Sequence, residues 1–100
     1  MKIRETLIFS RWLEKLRDHR AKIIIVNHIQ RMQDDNMGNL KPVGDGVYEK
    51  KIDYGLGYRL YFCQLDDVWV LLLCGGDKSS QKDDIKNAKK IKEDCSERDN

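Results

Sequence analysis

The sequence has little that would mark a membrane, secreted or metal-bound protein. Its longest apolar run, Val68 to Cys74, falls far short of the roughly 18 residues a membrane-spanning helix requires. The start, Met1-Lys2-Ile3-Arg4-Glu5, is charged with no apolar stretch behind it, so no secretory signal is expected and the chain reads as cytoplasmic, with no membrane partner. Cysteine is sparse. Cys63, Cys74 and Cys95 are an odd number without C-x-x-C spacing, which argues against a disulfide framework and a zinc site and predicts reduced thiols. Neither of the two histidines, His19 and His28, stands with an Asp or Cys in a catalytic pattern. His28 falls on an apolar helix stripe and reads as a satisfied core histidine. No metal and no cofactor are expected.

What is present suits one small domain. The chain has 100 residues, 40% of them hydrophobic, above the floor of about 70–80 residues below which small folds need staples. The net charge of +2 is uneven. From Met1 to Gln33 there are eight basic and three acidic residues, and from Asp34 to Asp67 four basic and seven acidic. A basic N-terminal third suits an anionic partner, and a solvated helix face accounts for it as well.

Periodicity places the elements. Lys2 to Glu5 suits a short strand, and Thr6 an N-cap. Phe9, Trp12, Leu13 and Leu16 fall at i, i+3, i+4 and i+7, one stripe of a helix. Asp18 caps a second helix with the stripe Ala21, Ile24, Ile25, His28, Ile29 and Met32, stopped by Asp34-Asp35-Asn36 and Gly38-Asn39. The texture then changes to strands at Val47–Tyr54, Tyr58–Gln64 and Val68–Cys74, separated by Gly55-Leu56-Gly57 and Leu65-Asp66-Asp67. The third strand is apolar on both faces, as a covered central strand should be, and Gly75-Gly76 should end it. A last helix should start near Ser79 or Ser80, loosely docked through Ile85, Ala88 and Ile91, with a frayed tail from about residue 93. The fold class is α+β: a strand, a helical hairpin, an antiparallel meander and a C-terminal helix.

A three-residue loop at Gly55-Leu56-Gly57 would pair Tyr54 with Tyr58, Ile52 with Leu60 and Lys51 with Tyr61. Ile52, Leu60 and Phe62 then share one face, and Glu49, Lys51, Asp53, Arg59 and Tyr61 the other. Lys78 follows the neighbouring strand, just before a helix N-terminus that can attract an anion. Fixed cations beside carboxylates and a phenol suit a phosphodiester: the cations neutralise a phosphorane, and a crowded lysine can serve as a base. The plainer alternative is a pair of cross-strand ion pairs, Lys51–Glu49 and Arg59–Asp53. Gly75-Gly76-Asp77-Lys78-Ser79 lacks the spacing of a phosphate loop. Trp12, Trp69, Tyr58 and Phe62 could stack RNA bases, with core packing the better reading for Trp12 and Phe62.

Four runs carry a resemblance. They are Trp12-Leu13-x-x-Leu16-Arg17-Asp18-x-x-Ala21, Lys41-Pro42-Val43-Gly44-x-Gly46-Val47-x-Glu49, Ile52-Asp53-Tyr54-Gly55-x-Gly57-Tyr58-Arg59-x-Tyr61-Phe62, and Leu71-Leu72-Leu73-x-Gly75-Gly76-Asp77-Lys78-Ser79-x-Gln81-x-x-Asp84-Ile85-x-x-Ala88. Together they resemble the HigB-like killer proteins of the RelE/ParE superfamily, the toxins of type II toxin–antitoxin modules. The resemblance implies a RelE-like fold and ribosome-dependent, metal-independent cleavage of mRNA through attack by the RNA 2′-OH. It also implies a cognate antitoxin with a helix-turn-helix, through which alone operator DNA is bound. By position it implies catalytic roles for Lys51, Arg59, Lys78 and Tyr61, and RNA-binding roles for Lys41, Lys50, Ser79 and Gln81. The chain departs from that pattern in a shorter Gly38–Pro42 segment, in Lys50 on the apolar face, and in having no Tyr or His after Tyr61 to serve as a late acid. A ParE-like topoisomerase poison and a toxin-derived binding module without catalysis are the alternatives.

Overall fold

The computed structural model describes residues 1–66 and 69–98. Strand β1 (Lys2–Glu5) is followed by helices α1 (Leu7–Lys15) and α2 (His19–Gln33), strands β2 (Leu40–Gly44), β3 (Val47–Ile52), β4 (Tyr58–Gln64) and β5 (Trp69–Asp77), a 3₁₀ turn at Lys78–Ser80, and helix α3 (Gln81–Arg98). The five strands form one sheet in the order β1-β5-β4-β3-β2. The α+β class is as expected. The sheet is mixed, because β1 lies parallel to β5 while the other pairs are antiparallel.

Local chemistry sets the element ends. The Thr6 hydroxyl accepts from the Phe9 amide and donates to the Leu73 carbonyl, so one side chain caps α1 and ties it to β5. Asp18 accepts from the amides of Arg20 and Ala21 at the start of α2. Strand β2 was not anticipated. Asp45 and Gly46 both have positive φ, the backbone of a two-residue hairpin turn, and that turn folds Lys41-Pro42 back as an edge strand where proline is tolerated.

Two further expectations are corrected. Gly75 and Gly76 do not end β5 but lie inside it, because neither position has room for a side chain. A methyl at Gly75 would run into the Trp12 indole, and one at Gly76 into the Asp84 carboxylate. The β3–β4 register also differs: Ile52 pairs with Tyr58, Lys51 with Arg59, Lys50 with Leu60 and Glu49 with Tyr61. The shift is two residues, so every side chain keeps its expected face. Val68, expected to begin the third strand, and the side chain of Trp69 lie outside the described residues.

Both faces of the sheet are covered. On one, Phe9 of α1 and Ile25, Ile29 and Met32 of α2 pack on Ile52, Leu60, Phe62, Val70 and Leu72. On the other, Ala88 is fully buried against Val47, Tyr61, Cys63, Leu71 and Leu73, with Ile85, Ile91 and Cys95 packed beside it. Helix α3 is therefore a docked layer that closes the second core, not a loosely held tail. It is helical through Arg98, and the last two residues of the expected frayed segment lie outside the described residues. No helix among the described residues is long and apolar enough to cross a membrane. The three cysteines are free, and burial pushes the Cys74 thiol up to about 12.

Candidate functional site

The α3-covered face of β3 and β4 runs out at its open end into a cleft of about 350 Å³, lined by Lys51, Asp53, Tyr54, Gly55, Leu56, Gly57, Arg59 and Lys78. Lys51 and Arg59 are direct cross-strand partners on β3 and β4, which places their side chains within reach of one anion. Lys78 comes from the end of β5, and its amide donates to the Gly57 carbonyl at 3.0 Å, fixing it against the β3–β4 turn. Three cations, one each from β3, β4 and the 3₁₀ turn after β5, thus share one opening.

Arg59 is only 7% exposed. Its Nε lies 3.7 Å from Glu49 Oε1, an ion-pair distance too long for a hydrogen bond. Nε and Nη1 are buried with no hydrogen-bond partner among the described residues. Behind it, Glu49 Oε2 accepts from the Tyr61 hydroxyl at 3.0 Å and from the Gln81 amide at 2.9 Å. Lys51 and Lys78 differ from Arg59 in being exposed. Lys51 lies 3.5 Å from Asp53. The ion pairs are therefore Arg59–Glu49 and Lys51–Asp53, the reverse of the pairing the sequence suggested, because the observed register places Glu49 diagonal to Arg59.

The structure brings together three of the four candidate catalytic residues, Lys51, Arg59 and Lys78. Tyr61 is fully buried and does not line the cleft. Burial, then its hydrogen bond to Glu49, hold its phenol far above the ordinary tyrosine range. Among the candidate RNA-binding residues, Gln81 is engaged with Glu49, and the Ser79 amide and hydroxyl both donate to Asp77. These Ser79 bonds, its side chain's first, draw the Asp77 carboxyl below the usual carboxylate range. The expected anion-attracting helix start is consequently filled by Asp77 itself. Lys41 lies on β2 opposite Glu49, outside the cleft.

Lys50 points to the other face. It is 4% exposed, and its ammonium donates to the Met37 carbonyl at 2.7 Å. Burial, and then Arg31 nearby, lower its pKa. His28 is half-buried, and its Nδ1 has no hydrogen-bond partner among the described residues. It is not the satisfied core histidine expected. Burial first, then Lys50 and Arg31, lower its pKa. Trp12 and Phe62 pack in the core, Trp12 against Phe9 and Tyr58 and Phe62 against Tyr48.

Glu49 was placed on the polar face by alternation, but its role behind Arg59 was not foreseen. No local signal connects it to Gln81, 32 positions away.

No protein-family model matches the chain. It is 51% identical over 89 residues to an uncharacterised protein of Haemophilus influenzae, a match covering 89% of this chain and 90% of that one. Among solved structures, a chain of the RelBE2 toxin–antitoxin complex from Mycobacterium tuberculosis superposes with a TM-score of 0.60 at 23% identity, covering 77% of this chain and 96% of that one.

Proposed function

Since the chain belongs to one family with that Haemophilus influenzae protein and its fold is RelE-like, we propose that it is the toxin of a type II toxin–antitoxin module and cleaves mRNA on the ribosome. A buried guanidinium with unpartnered donors, opening on a cleft shared with two lysines, is the observation that carries this reading. Leaving such donors unpaired is costly. A phosphodiester supplies the matching acceptors, and Arg59 is the residue type suited to holding them in a fork.

In the reaction the RNA 2′-oxygen forms a bond to its own phosphorus and the P–O5′ bond breaks, leaving a 2′,3′-cyclic phosphate and a 5′-hydroxyl. Arg59 stabilises the charge that develops on the non-bridging oxygens. Lys51 first gives its own proton to solvent and then accepts the 2′-OH proton, and Lys78, as an ammonium, protonates the departing 5′-oxygen. Tyr61, buried behind Glu49, has no part in proton transfer. A cognate antitoxin neutralises the protein by binding over the cleft or over α3.

Primer extension on a reporter mRNA after induction tests the reading. Discrete 5′ ends and an immediate halt in translation are expected. DNA damage and filamentation with intact mRNA would instead identify a topoisomerase poison.

A further inference from the structure

We infer that Glu49 is a positioning residue: the Tyr61 hydroxyl and the Gln81 amide engage its Oε2 and so hold it back from a direct hydrogen bond to Arg59, keeping that guanidinium in place with its donors unspent. The inference rests on the reading of the cleft as an RNA-phosphate site.

Glu49 is 5% exposed, Tyr61 is fully buried and Arg59 is 7% exposed, so all three work where water does not screen them and pairing is strong. A carboxylate and a guanidinium this close would ordinarily close into a bidentate pair at about 2.7–2.9 Å. Here they stop at 3.7 Å. The two neutral donors on Oε2 supply the physical reason. Tyr61 reaches it from β4 at 3.0 Å and Gln81 from the first residue of α3 at 2.9 Å, so Glu49 is anchored from two elements and cannot swing toward Arg59. The negative charge still orients the guanidinium. A phosphodiester entering the cleft then meets Nε and Nη1 without displacing a formed ion pair. Glu49 touches no substrate in this arrangement and acts only through Arg59.

The test follows the Arg59 Nε–H directly by ¹⁵N NMR of arginine-labelled protein, beside single-turnover cleavage of a programmed ribosome. Two variants are used. Glu49→Gln removes the orienting charge, and Gln81→Ala removes one anchor from a half-buried position where folding is not at stake. Glu49→Gln should leave the Arg59 Nε–H signal narrowed by mobility. Gln81→Ala should move it downfield as Glu49 closes on the guanidinium. Each should lower the cleavage rate about tenfold or more while the half-saturating ribosome concentration changes less than about twofold, as expected when a catalytic group is misplaced by around 1 Å. An Arg59 signal unchanged in the variants that fold would overturn the inference. If the wild-type protein cuts no RNA, the functional reading fails, and the NMR comparison still decides whether Glu49 positions Arg59.

Discussion

Lys50 and His28 show what single residues contribute when burial and charge conflict. A lysine whose pKa is lowered on folding is penalised while charged, so its cost is relieved as pH rises through the folded value. His28 has the same sign. Because its folded pKa lies below the ordinary 6.5, the unfolded chain binds more protons in the window below 6.5, and stability is lost as pH falls through it. Wild type should therefore lose melting temperature relative to His28→Gln between pH 7 and pH 5, and a constant difference across that range would contradict the placement. The sequence showed Lys50 as a cation on an apolar face but not where its head would go. That depended on the Met37 carbonyl, presented by a loop without periodicity. Tyr61 misled for a related reason: alternation gives a side chain's face but not whether a helix closes over it, and α3 does.

At the level of elements, the two glycines of β5 let helices approach from opposite sides, Trp12 over Gly75 and Asp84 over Gly76. Gly76→Ala should cost about 1–3 kcal/mol in denaturant unfolding, the usual range for overpacking, and wild-type stability would contradict the close contact. Truncation after Lys92 removes the Cys95 contact but keeps Ile85, Ala88 and Ile91. It should lower stability less than Gly76→Ala, by the same measurement. The helices and the four expected strands were legible because their apolar patterns were clean and the helix caps, Thr6 and Asp18, stood at the right offsets, although β5 runs on to Asp77. Gly75-Gly76 read as a stop because glycine is usually punctuation; here it marks close packing, visible only once a tryptophan from α1 is placed above it. Strand β2 carried a readable signal in Asp45-Gly46, but Pro42 and the lack of alternation in Leu40–Gly44 masked it. The polar face emerged correctly despite a register error, because a shift of two preserves the alternation.

For the whole molecule, a net charge of +2 is too small to account for tight binding to an anionic partner, so affinity must come from placed groups. The antitoxin should bury at least about 1,200–2,000 Å² in all and present acidic side chains to Arg59 and Lys78. Co-purification with the neighbouring gene product measures this, and a freely toxic, partnerless monomer from the native operon would contradict it. The central claim concerns one side chain in its setting. Were Arg59 only a buried structural partner of Glu49, its removal would cost folding stability, about 3–5 kcal/mol for a broken buried pair, and leave the cleavage rate of the folded protein unchanged. If it stabilises a phosphorane, as proposed, its loss should cost about 2.7–4 kcal/mol of transition-state stabilisation, roughly 100- to 1,000-fold in rate. Lysine should restore only part of this, since a point charge does not reproduce the fork. The most direct measurement is growth on induction of Arg59→Ala, with circular dichroism to establish folding and primer extension to follow the reporter mRNA. The account predicts a folded protein that binds antitoxin, cuts no mRNA and no longer stops growth, with Arg59→Lys between it and wild type; a folded Arg59→Ala that remains fully lethal would contradict it.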